Sequence, residues 1–538
     1  MPGEDPLLVP TDTGPTLLWK GLYFYPQQGP IEYARRKARV FSPRPRSLLF
    51  VPSVGLGHGL AELLEQLPEN CAILCAEAHQ EVMAIALTRG LPRDPRLVIV
   101  RTDDPAELAA ALAGLGINNF RRVMEVPLCT GYRLAPELYE RFRSRLEEEI
   151  RRYWQNRLTL IALGSLQVRN IISNLALIPH AEDFSALSTA LPVVVAGAGP
   201  SLDETIPALC ELRKRFLLVA VDTALPALMA VGIVPDVVVA LEAQIANLQD
   251  FLPARDDSIA LACDLSSHPS INRLFPGRLF FFSSRFAELR LFDRLARIGL
   301  LPAPFPALGS VGVAAVHAGL RIARGEVYLT GLDFSFPASR THAHGAPSHL
   351  AMLIGGSRMR PVGHDSFLSV AARALVQAPD KRGGRVATDR VLKSYRDILL
   401  DEVKGQGDRV RDIGPLGLDL GVASISRARF EEGLCRVPAA SSTRLLIDPG
   451  RRFSTGTMRG FLMKEKALLE KAMDSARQAA ATGFVSQECR ALLAEVDYAW
   501  VHFPDEMPLD VPDRSFLARV GVAAGYYANR IGRIESIV

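Results

Sequence analysis

Between residues 190 and 334 one pattern recurs: short unbroken apolar runs, each closed by a glycine or polar turn. The runs are LPVVVAGAGPS, FLLVAVD, DVVVALE, SIALACD, GRLFFFSS and EVYLTGLD, and helical stretches such as ETIPALCELRKR and GSVGVAAVHAGLRIARG lie between them. Strands without polar alternation must be buried on both faces, which a parallel sheet covered by helices provides. A chain of 538 residues also exceeds one ordinary core. The expected fold is α/β: a Rossmann-like N-terminal domain over 1–137, a helical connector over 138–185, a central α/β domain with a mostly parallel sheet over 186–430, and a C-terminal helical domain over 431–538, read as a bundle.

The N-terminal assignment rests on residues 46–77, where a strand (RSLLFVPSV), a glycine turn (Gly55, Gly57, Gly59), a helix and a second strand ending on Glu77 follow in order. A βαβ dinucleotide unit places an acidic residue at about that distance. The glycines are spaced GLGHG, not GxGxxG, so an accessory Rossmann-like domain is expected rather than a cofactor-using one. Residues 335–385, rich in Ser, His, Gly, Arg and Pro, read as long loops of the lid or binding kind. The stretch from about 456 to 535 alternates charged and apolar residues at helical spacing.

Composition narrows the function classes. The net charge is +4 and the arginines are dispersed, which argues against a nucleic-acid footprint. Seven scattered cysteines without a CxxC pair suggest free thiols in a reducing compartment. The acidic, Pro-rich start lacks the basic and apolar stretches of a signal peptide, and the apolar runs are too short to span a bilayer, so a cytoplasmic protein is expected. No P-loop, GxSxG elbow or HExxH is present.

Ligands of α/β sheets gather at the carboxyl ends of the strands. There the sequence places Gly197, Gly199, Pro200 and Ser201, a turn able to bring backbone close to a phosphate at a helix start, with Ser201 as cap or phosphate donor. The next strand ends carry Asp222 and Thr223, then Glu242 with Gln244 and Asn247, then Asp264 with Ser266, Ser267 and His268. Each alone is explained by a helix cap; together they suggest a polar pocket. Ser310 and Gly312, in GSVG, offer a second anion-binding turn. Asp333 ends a strand, and Thr341, His342 and His344 follow in THAHG. A histidine beside an anion site suits general acid–base work. HxH also suits a metal, but no third ligand completes it and no metal is expected. His344 and His349 are equally read as solvated loop residues.

As a series, LPVVVAGAGPSLDETIPAL, AVDTALPALMAVGIVPDVVVALEAQIANLQDF and GSVGVAAVHAGLRIARGEVYLTGLDFSF with THAHG resemble the central domain of the motility-associated factor (Maf) proteins, over about 190–355. The same core is similar to bacterial sialyltransferases and to an archaeal pterin pyrophosphokinase, the MptE-like domain. The resemblance implies a glycosyltransferase that moves a nonulosonic (sialic-acid-like) sugar from a CMP-sugar donor to Ser/Thr of flagellin, with no further cofactor. It implies nucleotide contacts at Gly197, Gly199, Pro200, Ser201, Asp222, Thr223, Ser310 and Gly312, His342 as the base, and Asp333 or Glu242 as orienting or alternative base. Asp222 replaces the Asn of sialyltransferases; Glu242 stands where Asp is commoner, followed by AQ instead of Asp–Pro. Two alternatives stay open: ATP-dependent pyrophosphoryl transfer to a pterin-like alcohol, and a non-enzymatic flagellin-binding adaptor that uses its helical C-terminal region.

Overall fold

The structure, a computed structural model, describes residues 5–101, 103–252, 258–275, 277–440, 444–448, 453–504 and 513–537. It divides into two compact units, Met1–Leu160 and Ile161–Val538.

In the first unit β1 (Ser47–Pro52), β2 (Ala72–Ala76), β3 (Leu97–Val100) and β4 (Arg122–Glu125) form a parallel sheet in the order β3-β2-β1-β4. That is half of a Rossmann sheet. Its glycine turn is filled by the chain's own groups. A Cβ on Gly55 would lie 2.6 Å from the Tyr25 hydroxyl, and one on Gly59 would lie 2.8 Å from the Ala34 carbonyl oxygen. Glu77, 1% exposed, accepts from Ser53 Oγ (2.8 Å), the Val54 amide (3.1 Å), the His79 amide (3.2 Å) and the Tyr139 hydroxyl (3.0 Å). The acidic residue that would hold a ribose in a dinucleotide site here secures its own turn.

Helix α1 (Pro136–Leu175) carries the chain on into the second unit. There β5 (Val193–Ala196), β6 (Leu217–Val221), β7 (Val237–Ala240), β8 (Ala260–Asp264), β9 (Leu279–Ser284), β10 (Ala303–Phe305), β11 (Val327–Thr330), β12 (Val410–Asp412) and β13 (Ala423–Ser424) lie in the order β10-β9-β8-β7-β6-β5-β11-β12-β13, all parallel, with Glu182–Asp183 beside β9. The chain walks outward from β5 to β10 and returns on the other side of β5 as β11. The β5/β11 boundary is therefore the topological switch point.

Side chains of single strands divide between two cores. Val237 and Val239 of β7 join one core with Ala260, Ala262, Phe280 and Phe282; Val238 and Ala240 join the other with Leu261, Cys263 and Phe281. This alternation is why these strands are apolar throughout. Helices α2 (Leu202–Leu212) and α3 (Val311–Ile322) contribute to the first core. The stretch 335–385, expected as long loops, instead forms α4 (Pro347–Gly355), α5 (Val362–Ala371) and an antiparallel hairpin of Leu375–Pro379 with Arg385–Asp389. Few of its side chains are buried, so the apolar periodicity that signals regular structure is missing there. Next come α6 (Arg390–Val403), α7 (Thr455–Thr482), α8 (Gln487–Glu495) and α9 (Arg514–Glu535). Met458, Leu462 and Leu469 of α7 and Ala524, Tyr527 and Ile531 of α9 share the second core with the sheet and with Val168, Ile171 and Leu175 of α1.

At the switch point the turns after β5 and β11 touch backbone to backbone. A Cβ on Gly197 would overlap the Gly331 carbonyl oxygen, and one on Gly331, whose φ is +66°, would overlap that of Gly197. We expect Gly331→Ala to lower unfolding free energy by about 1–3 kcal/mol or more, from overpacking together with a left-handed backbone. Urea denaturation would measure it, and a loss below 0.5 kcal/mol, the size of an ordinary surface substitution, would contradict the close approach.

Candidate functional site

The Gly197–Ser201 turn is closed on itself. The Gly197 amide donates to the Thr330 carbonyl (2.8 Å) and the Gly199 amide to the Gly331 carbonyl (2.7 Å). The Ser201 amide donates to Asp333 Oδ2 (2.8 Å), and Ser201 Oγ donates to Asp333 Oδ1 while accepting from the Gly331 amide (3.2 Å). Pro200 and Ser201 are buried, and Ser201 makes no side-chain cap to α2. The amides that the motif suggests for phosphate are thus already committed within the protein. A Cβ on Gly199 would sit 2.8 Å from the Asp333 carboxyl, so this glycine is required by packing within the turn.

Asp333 is 3% exposed, and its carboxyl is raised to about 6, by burial first and then by Asp412; Ser201 and Lys381 act the other way. Lys381 pairs with Asp412 and donates to the Gly414 carbonyl (3.0 Å). Gly417, at φ +100°, passes so close that a Cβ there would lie 2.5 Å from the Asp333 Cα. Enclosed in this way, Asp333 is a clasp between strand ends and is not placed to serve as a base.

A second acidic group lies beyond β6 and β7. Asp222, buried, accepts from the Thr223 amide (2.7 Å), Thr223 Oγ1 (3.1 Å) and Asn247 Nδ2 (3.1 Å). Asn247 Nδ2 also donates to Asp250 Oδ2 (3.0 Å). Burial, reinforced by Asp250, raises Asp222 to about 7, and burial raises Asp250 to about 6. Glu242 stands at the exposed rim, and partial desolvation raises its pKa as well. The Asp264 carboxylate is engaged by the amides of Ser266 (2.7 Å) and Ser284 (2.6 Å) and acts as a loop anchor. Asn170 and Asn174 of α1 pin the same loops, donating to the carbonyls of Ala243, Ser266, Leu265 and Ser267 at 2.8–3.0 Å.

The GSVG turn, in contrast, is open. Ser310 caps α3 without a side-chain bond, and the amides of Val311, Gly312 and Val313 have no acceptor among the described residues. A helix N-terminus of this kind attracts anions. Beside it, a Cβ on Gly309 would meet Tyr395 at 3.2 Å. The Tyr395 hydroxyl is raised by burial, then by the neighbouring charges of Glu242 and Asp389. Asp389 caps α6 through the Leu392 amide (2.8 Å) and accepts from Arg373 (2.9 Å), whose guanidinium lies 5.0 Å from the Phe336 ring centre.

Arg373 also acts on His342, whose pKa is lowered by burial first and then by that charge. The imidazole is therefore neutral near pH 7. Its Nδ1 lies 3.0 Å from Ser348 Oγ and 3.1 Å from Thr341 Oγ1, which leaves Nε2 without a hydrogen-bond partner among the described residues. His344 is held elsewhere: Asp203 of α2 binds its Nδ1 (2.7 Å), its amide (3.0 Å) and Arg340 (2.7 Å). The backbone between is strained, with Phe334, Ala338 and Ser339 at φ +46°, +49° and +55°. Such outliers persist where the surroundings over-determine them. Among the described residues no group of three or more His, Cys, Asp and Glu could hold a metal, and no helix is long and apolar enough to cross a membrane.

The structure places Glu242, Asp222, Thr223 and His342 in segments after strand ends and Ser310 and Gly312 at the start of α3. Tyr395 links Gly309 with Glu242 and Asp389, and Arg373 links Asp389 with His342, while Gly197, Gly199, Pro200, Ser201 and Asp333 form the clasp at the switch point. Arg373, Asp389, Tyr395 and Asp250 carry no local motif and emerge only from the fold. Residues 167–339 match the family model described as 6-hydroxymethylpterin diphosphokinase MptE-like. An uncharacterized protein of Treponema pallidum (strain Nichols) is 26% identical over 567 aligned positions, covering 100% of this chain and 96% of its own length. Among solved structures, the Maf glycosyltransferase from Magnetospirillum magneticum AMB-1 shares the fold, with a TM-score of 0.58 and 15% identity over 99% of this chain and 89% of that one.

The raised carboxyls carry a signed pH dependence. Asp222 and Asp250 bind protons in the folded state at about 7 and about 6 but release them near 4 when unfolded. Their contribution to stability is therefore present at low pH and is lost as pH rises through 6–7. Asp250→Asn, which fixes the neutral form, should reduce the fall in Tm between pH 5 and pH 8 relative to wild type. Parallel slopes for the two proteins would contradict the shift.

Proposed function

From a chain that carries an MptE-like segment within a Maf-type fold, we propose a glycosyltransferase that moves a nonulosonic sugar from a CMP-sugar to Ser/Thr of flagellin in the cytoplasm. Carrying the reading are an unsatisfied helix start at Ser310–Val313 and, linked to it through Tyr395, Asp389 and Arg373, a neutral histidine that has one nitrogen free. In this reaction the bond from the sugar's anomeric carbon to the phosphate breaks, and CMP departs with the electron pair. The amides of Val311, Gly312 and Val313 receive the charge growing on that phosphate. A hydroxyl oxygen of the acceptor bonds to the anomeric carbon, and its proton passes to His342 Nε2. Ser348 holds the opposite ring nitrogen. The α3 turn takes the phosphate role that the resemblance implies for Gly197–Ser201, with Glu242 exposed on the donor side and Asp222 buried behind it through Thr223 and Asn247. No metal or further cofactor enters this scheme.

His342→Ala should lower kcat for transfer by about 10²–10⁴-fold, the usual range for a lost general base, with CMP affinity unchanged. Mass spectrometry of flagellin after incubation with the CMP-sugar reads this directly, and a near wild-type rate would remove His342 from the mechanism. The family model's description keeps pyrophosphoryl transfer as a second reading. A thermal-shift comparison separates the two: CMP and CMP-sugars should raise Tm and ATP should not, whereas the reverse ranking would favour the kinase. In a deletion strain, intact glycan with lost flagellin would favour the adaptor role.

A further inference from the structure

Helices α4 and α5 carry an apolar face that no described residue covers. None of the α4 residues is buried, and in α5 only Val370 is. Leu353, Ile354, Met359, Phe367 and Leu368 are exposed, and Ile354 and Met359 reach 87% and 90%. Clustered exposure of this kind within one short stretch marks an interaction surface. The charge around it is one-sided. Residues 350–390 hold seven Lys and Arg against three Asp and no Glu, a net charge equal to the +4 of the whole chain. Arg358, Arg385 and Arg390 are exposed and have no acidic side-chain partner among the described residues. Whatever docks here must combine apolar side chains with negative charge.

The same arm is built into the candidate site. Ser348, in the first turn of α4, is the group that holds His342 Nδ1 at 3.0 Å. Ser366 of α5 donates to the Ser339 carbonyl (2.9 Å) in the strained segment, and Arg373, two residues past α5, pairs with Asp389. A partner resting on α4 and α5 therefore rests on the element whose Ser348 holds the ring that would take the hydroxyl proton. On the reading of this cleft as a transferase site, we infer that α4, α5 and the loop between them form the docking surface for the protein acceptor. The surface takes an acidic, partly apolar segment of that acceptor and presents its Ser or Thr to His342. A lipid surface or a second copy of this chain would have no need of the link to His342.

The test uses the full chain with Ile354→Glu and Met359→Glu combined, and separately Arg358→Glu; all three positions are exposed, so folding should be retained. Affinity for monomeric flagellin from the host organism is measured by calorimetry, alongside CMP release from the CMP-sugar without acceptor. We expect the double variant to bind flagellin at least tenfold more weakly, Arg358→Glu to weaken binding and reduce its salt dependence, and CMP release to stay unchanged. Unchanged flagellin affinity overturns the assignment, as does absence of flagellin binding by the wild type. It is also overturned if the wild type is a dimer that the double variant separates, or if the wild type co-sediments with phosphatidylserine vesicles and the double variant does not. Flagellin binding sensitive to these variants, with no sugar transferred by the wild type, would keep the docking surface and remove the transferase reading.

Discussion

The contact between Ser201 and Asp333 closes the sheet at the place where an α/β fold is most open. In a sheet whose first strand lies inside the order, the turns on either side of the switch point diverge and leave a crevice. Here the serine hydroxyl, its amide and the Gly331 amide all converge on one buried carboxyl or on its partner oxygen. Gly197 and Gly331 permit backbone contact beside it. Lys381, Asp412 and Gly417 then wrap the carboxyl from the side of β12. The switch point is thereby filled by the chain's own groups, and the uncommitted amides lie instead at the start of α3.

That self-closure explains which parts of the site are readable from the sequence. The parallel sheet is legible because doubly buried strands leave an unmistakable apolar run, and the half-Rossmann sheet because its βαβ spacing is local. Asp222, Glu242 and Ser310 are legible as strand-end or helix-start residues. The state of the glycine turn is not legible, since its partner lies 132 residues away and the motif looks the same whether its amides face a phosphate or an aspartate. Arg373 comes from a stretch whose exposed surface removes the periodicity that would announce its helices and hairpin, and Tyr395 from a readable helix whose place beside Gly309 is set only by the fold. Asp250 stands in a four-residue helix where it resembles any surface acid, until burial shows otherwise.

Electrostatics in the cleft follow from this arrangement. Asp222 and Asp250 face a common amide donor in a buried setting, so at neutral pH the cleft floor carries less negative charge than its composition suggests. Two full carboxylates there would repel an anion; partial protonation moderates that repulsion.

The clasp occurs twice. In the first unit Ser53 and the Val54 amide serve Glu77 as Ser201 and its amide serve Asp333. A glycine loop that depends on a phosphate for its last hydrogen bonds is half-finished until substrate arrives, and its lifetime in a cell tracks metabolite supply. Loops that complete themselves with their own carboxylates make no such demand. Both glycine loops of this protein are of the second kind, complete in hydrogen bonding without a bound phosphate.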